Sequence, residues 1–309
     1  MASTRLLKYL LLTLALTFGI LNISYAQQSG LSAAEVVNRN VAARGGLEAW
    51  RAVQTLSMTG KMEAGGNNRP ATPQPGLRRG QKVTPPRPIA QVELPFKMDL
   101  KRTRKQRLEI EFNGQTSVQL YDGVNGWKLR PYLNRSDYEP YTADEEKVAS
   151  EQSDLDGPLV DYAAKGTTVQ LAGSEIVDAR DNYKLKLTLK NGYSFHVWID
   201  AQTFLETKME GAPRRLDGQY RPVEIYLRDY RTVNGLRIPA VLETRVNTTA
   251  SVGVHGGKQT QQQWTSEKIT IDEVSVNPRL DDSLFSKPKS EVAATSSTRT
   301  AADGSSIHR

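Results

Sequence analysis

From Ile89 to Phe285 the apolar residues of this chain recur mainly at every second position, and that period limits what it can fold into. Side chains alternate across a strand, so period two marks strands with one buried and one solvated face, whereas a helix repeats at about 3.6. "PFKMDLK" sets Phe96, Met98 and Leu100 against Lys97, Asp99 and Lys101, and "RLEIEF" sets Leu108, Ile110 and Phe112 against Glu109 and Glu111. Further strands are predicted near 115–122, 126–132, 168–178, 183–190, 193–199, 203–210, 222–231, 236–247 and 264–275. Asn-Gly pairs in "LTLKNGYSFHVWI" and "YRTVNGLRIPAVL" join alternating runs and read as hairpin turns. About ten such strands describe one large antiparallel sheet, and a sheet of that size must curl or close.

Helical signals are few. Ser32 to Glu35 fits the S-x-x-E capping box, Val36, Val37, Val41 and Ala42 form an apolar stripe, and Gly45-Gly46 supplies a stop. Leu47 to Val53 reads as a second short turn of helix anchored by Trp50. "TADEEKVASEQ" (142–152) and "DGPLVDYAAKG" (156–166) read as two more, the latter with Pro158 in its first turn and Gly166 as its stop. "LYDGVNGWKL" has glycines at the spacing of a ligand-gripping loop, but strand-like sequence flanks it on both sides. It is therefore read as a hairpin corner, with Trp127 as a packing anchor.

The two ends and one interior segment fall outside the periodic pattern. Arg5 and Lys8 precede the mostly apolar stretch Tyr9 to Ile23, and Ser24-Tyr25-Ala26 forms a small-x-small cleavage site, which together read as a secretory signal peptide over 1–26. The formal charge is +7; Arg5 and Lys8 account for two of it, leaving +5 on the processed chain. Residues 65–88 hold six prolines, four glycines and five cations without an acid, and are expected to be a flexible basic insertion. Residues 288–309 are small and polar, as expected of a disordered tail. The 27–287 remainder is expected to form one domain. The chain has no cysteine, so disulfides, thiolate metal sites and a lipid-anchoring cysteine are excluded. The expectation is a soluble, monomeric periplasmic protein. The basic segments suit an anionic membrane surface or an acidic partner; export disfavours nucleic acid.

Chemistry-bearing patterns are scarce. There are three histidines, His196, His255 and His308, without the spacing of a metal site. No G-x-S-x-G, H-E-x-x-H or P-loop occurs. The carboxylate pairs Asp154/Asp156 and Asp281/Asp282 sit beside helix starts or in loops, where capping explains them as well as catalysis does. A non-catalytic protein without cofactor or metal is expected.

Four blocks, "AARGGLEAWRAVQTLSMTG", the strands leading into "LYDGVNGW", "LDGPLVDYAAKG" and "RDYRTVNGLRIPAVLE", together resemble the LolA-like, outer membrane lipoprotein-sorting protein family across about residues 33 to 287. The resemblance implies a mainly β (α+β) fold: a curved antiparallel sheet forming an unclosed β-barrel with helices in its mouth. It also implies a carrier or chaperone for lipoprotein acyl chains or another lipid-like ligand. The alternative is a regulatory or scaffolding module, similar to the RseB use of the fold, that binds an envelope protein. The 65–88 insertion and long tail depart from the family pattern, and the missing cysteine argues against a LolB-type anchored acceptor. An apolar groove can hold an acyl chain with no catalytic residue, because each buried CH₂ contributes about 0.8 kcal/mol. The candidate lining is the apolar strand faces: Phe96, Met98 and Leu100; Leu108, Ile110 and Phe112; Val118 and Leu120; Leu185, Leu187 and Leu189; Phe195 and Val197; Ile225 and Leu227. Leu159, Val160 and Tyr162 join them from the helical break. A filled core is the competing reading of the same residues.

Overall fold

The computed structural model describes residues 30–65, 91–216, 218–247, 250–254, 257–261 and 264–288. The expected leader 1–26, residues 66–88 of the basic insertion, residues 289–309 of the tail, His255 and His308 lie outside the described residues. Gly65 ends a strand.

The chain opens with α1 (Ala33–Ala43), capped by Ser32 and Glu35 in the reciprocal arrangement that the sequence predicts. Its buried residues are Val36, Val37, Asn40 and Val41, whereas Ala42 is exposed. Asn40 takes the inner position because its amide donates to the Phe204 carbonyl at 2.8 Å. Gly45 and Gly46 turn the chain at positive φ into α2 (Leu47–Ala52). At Gly45 a side chain would meet the Gly235 carbonyl at 2.4 Å, so glycine lets the helical turn sit directly on a hairpin tip.

Strands β1 (Thr55–Gly65), β2 (Gln91–Lys101), β3 (Lys105–Phe112), β4 (Gln115–Tyr121), β5 (Gly126–Arg130) and β6 (Arg135–Pro140) follow as a meander. After α3 (Ala143–Gln152) come β7 (Thr168–Val177), β8 (Arg180–Thr188), β9 (Ser194–Asp200), β10 (Glu206–Leu216), β11 (Gln219–Val233), β12 (Leu236–Asn247), the hairpin β13 (Ala250–Val254) and β14 (Gly257–Gln261), and β15 (Trp264–Val276). Thirteen strands form one sheet in the order β6-β5-β4-β3-β2-β1-β15-β12-β11-β10-β9-β8-β7, antiparallel throughout. The sheet does not close, and β6 and β7 are its edges. This mainly β, unclosed antiparallel arrangement with short helices is the one that the family resemblance implies. Among the described residues no helix is long and apolar enough to cross a membrane.

Three local predictions need correction. Residues 156–166 form successive turns rather than a helix: Asp161 lies at φ 51°, and Gly157 and Gly166 are also at positive φ. Within these turns Leu159 and Val160 are buried, at 1% and 0% exposure, and the positive φ at Gly157, Asp161 and Gly166 is what a helix over these residues could not adopt. Residues 131–133 form a 3₁₀ turn that ends β5 early. Polar β6 and β14 have no alternating apolar run, β13 has only the short run Ala250, Val252 and Val254, and all three are absent from the sequence-based reading.

"LYDGVNGWKL" is a hairpin corner between β4 and β5. The Asp122 carboxylate accepts from the Val124 and Asn125 amides at 2.8 and 2.7 Å, and Gly123 supplies a φ of 101°. Gly126 is small for a different reason, since a side chain there would overlap the Tyr141 ring at 1.8 Å. Trp127 is half-buried opposite Leu120 and Pro140.

Candidate functional site

The two sheet edges are joined by a single segment, residues 141–167, which holds α3 and then the turns. The turns and the first two helices lie on one face of the sheet, called here the inner face: Val36, Val37, Val41, Trp50, Val53, Leu155, Leu159 and Val160 form one buried cluster with strand residues Leu56, Phe96, Leu100, Leu185, Leu187, Phe195, Val197 and Ile199. Cross-strand pairing extends this face in rows, because directly opposed residues in antiparallel strands share a face.

The rows place each candidate lining residue. Phe96, Leu100, Leu159, Val160, Leu185, Leu187, Phe195 and Val197 are in the packed cluster; Met98, Leu108, Ile110, Tyr162 and Leu189 are half-buried against it. Ile225 and Leu227 are half-buried on the same face, opposite Met209 and Leu242. Phe112 is 38% exposed and meets Tyr132 edge-on. Val118 and Leu120 lie on the other face, paired with Glu109 and Arg107. They are buried all the same, because the outer face is covered there: Arg107 donates to the Leu284 carbonyl at 3.1 Å, and Lys101 and Lys105 hold Asp282. A sheet covered on both faces gives apolar alternation no inward direction, which is why β4 reads the wrong way round from sequence.

Away from the helices the inner face changes character. One row, Leu227–Leu242–Ile269–Met62–Leu94, crosses β11, β12, β15, β1 and β2 with every residue apolar and half-buried. Toward the β6 edge the rows turn polar. Leu56 and Leu100 lead to Gln106 and Tyr121; Met58, Met98 and Leu108 lead to Gln119 and Lys128; Phe96 and Ile110 lead to Ser117. Above this polar end lies α3, and between them is a cavity of about 460 Å³ lined by residues including Gln106, Gln119, Tyr121, Lys128, Tyr141 and Glu145. Lys128 donates to Glu145 at 2.5 and 2.6 Å, while Thr142 and Glu145 form a capping box. Burial opposes ionisation of Glu145, but Lys128 and Thr142 outweigh it and keep its carboxyl below the usual range. None of these polar residues is a candidate from sequence; the signal available was the Gln115–Ser117–Gln119–Tyr121 side of β4, which faces α3 across the cavity.

The turn segment is fastened by ions. Lys165 contacts Asp154 at 2.8 Å and Asp156 at 2.5 Å, Arg102 contacts Asp156 at 2.8 Å, and Arg51 grips Asp161 with two hydrogen bonds of 2.9 and 2.7 Å. Deeper, Arg44 pairs with Glu206 at 3.2 Å, donates to the Asp156 carbonyl at 3.0 Å and stacks on Trp50. Burial raises the Asp154 pKa despite Lys165. Burial also opposes ionisation of Asp156, yet Lys165 and Arg102 win and lower its pKa; the Arg51 hydrogen bonds lower that of Asp161. The signs differ. Asp156 and Asp161 contribute stability that is present above about pH 4 and is lost as pH falls through their depressed folded values, whereas Asp154 partly offsets this by favouring the fold when protonated. The thermal midpoint should therefore fall between pH 5 and 3, and fall less steeply in Asp161→Asn. An identical slope in the two proteins, measured by calorimetry, would rule out a part for this contact.

Three further polar groups have structural partners. His196 Nδ1 lies 2.9 Å from Glu210. Asp281 caps the 3₁₀ turn Asp282–Phe285. On the outer face Trp198 lies beneath Lys208, 3.9 Å from its ring centroid, and donates to Glu175 at 3.1 Å. Among the described residues no three His, Cys, Asp or Glu side chains converge on a possible metal position.

The chain thus forms an unclosed antiparallel sheet with helices and a crossing segment on its inner face. No family model and no curated protein matches the chain. Among solved structures it is similar to a LolA superfamily protein from Nitrosomonas europaea, at 13% identity over 84% of this chain and 99% of that one, with a TM-score of 0.49. A putative outer membrane lipoprotein-sorting protein domain from Vibrio parahaemolyticus matches at 13% identity over 82% and 95%, TM-score 0.46. A DUF1329 family protein from Desulfovibrio piger matches at 14% over 82% and 97%, TM-score 0.46. Likeness at this level carries no argument about ligand or partner, which must come from the chain's own inner face.

Proposed function

We propose that residues 27–287 act as one non-catalytic periplasmic carrier that holds the acyl chain of a lipoprotein or another lipid-like ligand on the inner face. The observation supporting this reading is the half-buried row Leu227–Leu242–Ile269–Met62–Leu94. An extended acyl chain laid along such a row loses water from its methylenes at about 0.8 kcal/mol each, so a few of them suffice for reversible binding. Leu242 and Ile269 also touch the packed cluster, which gives the row a firm floor. The packed half beneath α1 and α2 serves as scaffold in this reading, and the ligand occupies the uncovered half.

Lipid extraction and native mass spectrometry of protein isolated from its own periplasm should find acyl species. Palmitate binding should weaken about tenfold or more in Leu242→Gln, the equivalent of losing contact with about two methylenes. Absence of any acyl species, with palmitate affinity equal in the two proteins, would sink the reading. Retained partner capture by a chain lacking 65–88 would separately count against the regulatory alternative.

A further inference from the structure

The cavity beneath α3 differs in kind from the apolar row. Lys128 and Glu145, both in its lining, neutralise each other directly. Arg130 is paired with Glu139 beyond the cavity. What remains is rich in groups that both donate and accept hydrogen bonds: the amides of Gln106, Gln119 and Gln152 and the phenols of Tyr121, Tyr132 and Tyr141. Two lining groups are buried and unmet among the described residues, Gln106 Oε1 as an acceptor and Arg130 Nε as a donor, and a hydroxyl can serve both. Gln106 is 8% exposed, lines the cavity, and its Oε1 is buried with no hydrogen-bond partner among the described residues. A buried carbonyl left this way costs stability, so a site that keeps one favours a ligand able to donate to it.

From this we infer that the cavity beneath α3 is a binding site for a neutral, polyhydroxylated group of mono- or disaccharide size, which donates a hydroxyl to Gln106 Oε1. The volume of about 460 Å³ lies within the range of roughly 300–1,000 Å³ usual for small-ligand pockets. Lys128 is held by Glu145 and Arg130 by Glu139, so each lining cation already has its anion, whereas sugar hydroxyls match groups that both donate and accept. The apolar faces of Tyr132 and Tyr141 and the side chains of Ile110 and Val148 suit the C–H faces of a sugar ring. Such a group could arrive as a soluble sugar or as the head of a glycolipid whose tail runs onto the apolar rows; Ile110 belongs both to the cavity and to the row through Phe96. The site does not depend on the acyl-carrier reading, because the sugar chemistry is complete within the cavity.

Titration calorimetry on the full chain with maltose, dodecyl maltoside, inorganic phosphate and palmitate tests the site. Maltose should bind and phosphate should not. Gln106→Leu, similar in size and free of the unmet carbonyl, should fold at least as stably and lose about tenfold or more in maltose affinity, roughly one neutral hydrogen bond. A glycolipid source is supported if dodecyl maltoside binds more tightly than maltose; equal affinities support the soluble sugar. The proposal is overturned if neither sugar binds at millimolar concentration, if Gln106→Leu leaves maltose affinity unchanged, or if phosphate competes. Palmitate binding without maltose binding would overturn this site while leaving the acyl row standing.

Discussion

Gly60→Ala is expected to cost the fold about 3 kcal/mol or more, the upper part of the range for overpacking because the obstacle is backbone. Gly60 lies in β1, and a β-carbon there would stand 2.0 Å from the Thr270 carbonyl oxygen and 3.0 Å from both Ile271 Cα and Phe96 Cε1. The β1–β15 register shifts between Thr59 and Gly60: Thr59 pairs with Glu273 but Gly60 with Ile271, so β15 bulges toward β1. Relief would require parting the strand pair that joins the N-terminal meander to the rest of the sheet. Gly211→Ala is the matched control. Its nearest obstacles are Val223 and Ile225 side-chain atoms at 2.9 and 3.1 Å, and side chains can turn aside. Urea unfolding should show a large drop in midpoint for Gly60→Ala and a much smaller one for Gly211→Ala. Equal midpoints would mean that β15 can shift without penalty and that the row through Phe96 and Ile110 is not held by this bulge.

Arg44→Met is the second large effect, expected at about 3–5 kcal/mol. Arg44 and Glu206 are 8% and 7% exposed, and their contact is 3.2 Å. Removing the guanidinium leaves Glu206 with the Tyr230 hydroxyl, 3.1 Å from Oε2, as its remaining side-chain partner. It also removes the hydrogen bond to the Asp156 carbonyl and the stacking on Trp50. The double variant Arg44→Met/Glu206→Met should recover most of the loss, because a buried pair replaced by apolar groups of similar volume leaves no unmatched charge. A double-mutant cycle in urea decides it. If the double variant is as unstable as the sum of the single changes, Arg44 acts through Trp50 and Asp156 rather than through Glu206. Hydrogen exchange adds a second readout: Arg44→Met should loosen residues 156–167 before the sheet.

Local chemistry was legible in the sequence wherever it concerns neighbours in the chain. The α1 capping box, the Asn234-Gly235 turn with both residues at positive φ, and β12 over 236–247 follow from side-chain–backbone contacts a few residues apart. The turns at 156–166 were not legible, because Leu159 and Val160 are buried by partners distant in sequence, and that burial overrides a plausible helical pattern. The inner lining was half legible. Alternation correctly grouped Phe96 with Leu100 and Leu185 with Leu187, yet assigned Val118 and Leu120 to the inner face and overlooked Gln106, Gln119 and Tyr121 beside them.

By itself, then, the amino-acid order determined the strand material, the hairpin corners and an antiparallel sheet too large to stay flat, since period two and turn residues act within a few positions. Only the tertiary structure decided which face of each strand is inside. That choice depends on α1, α2 and residues 153–167 covering one side, and on the 282–285 turn covering the other at β2 and β3. Alternation states that two faces differ; contacts between distant residues state which of them a ligand could reach.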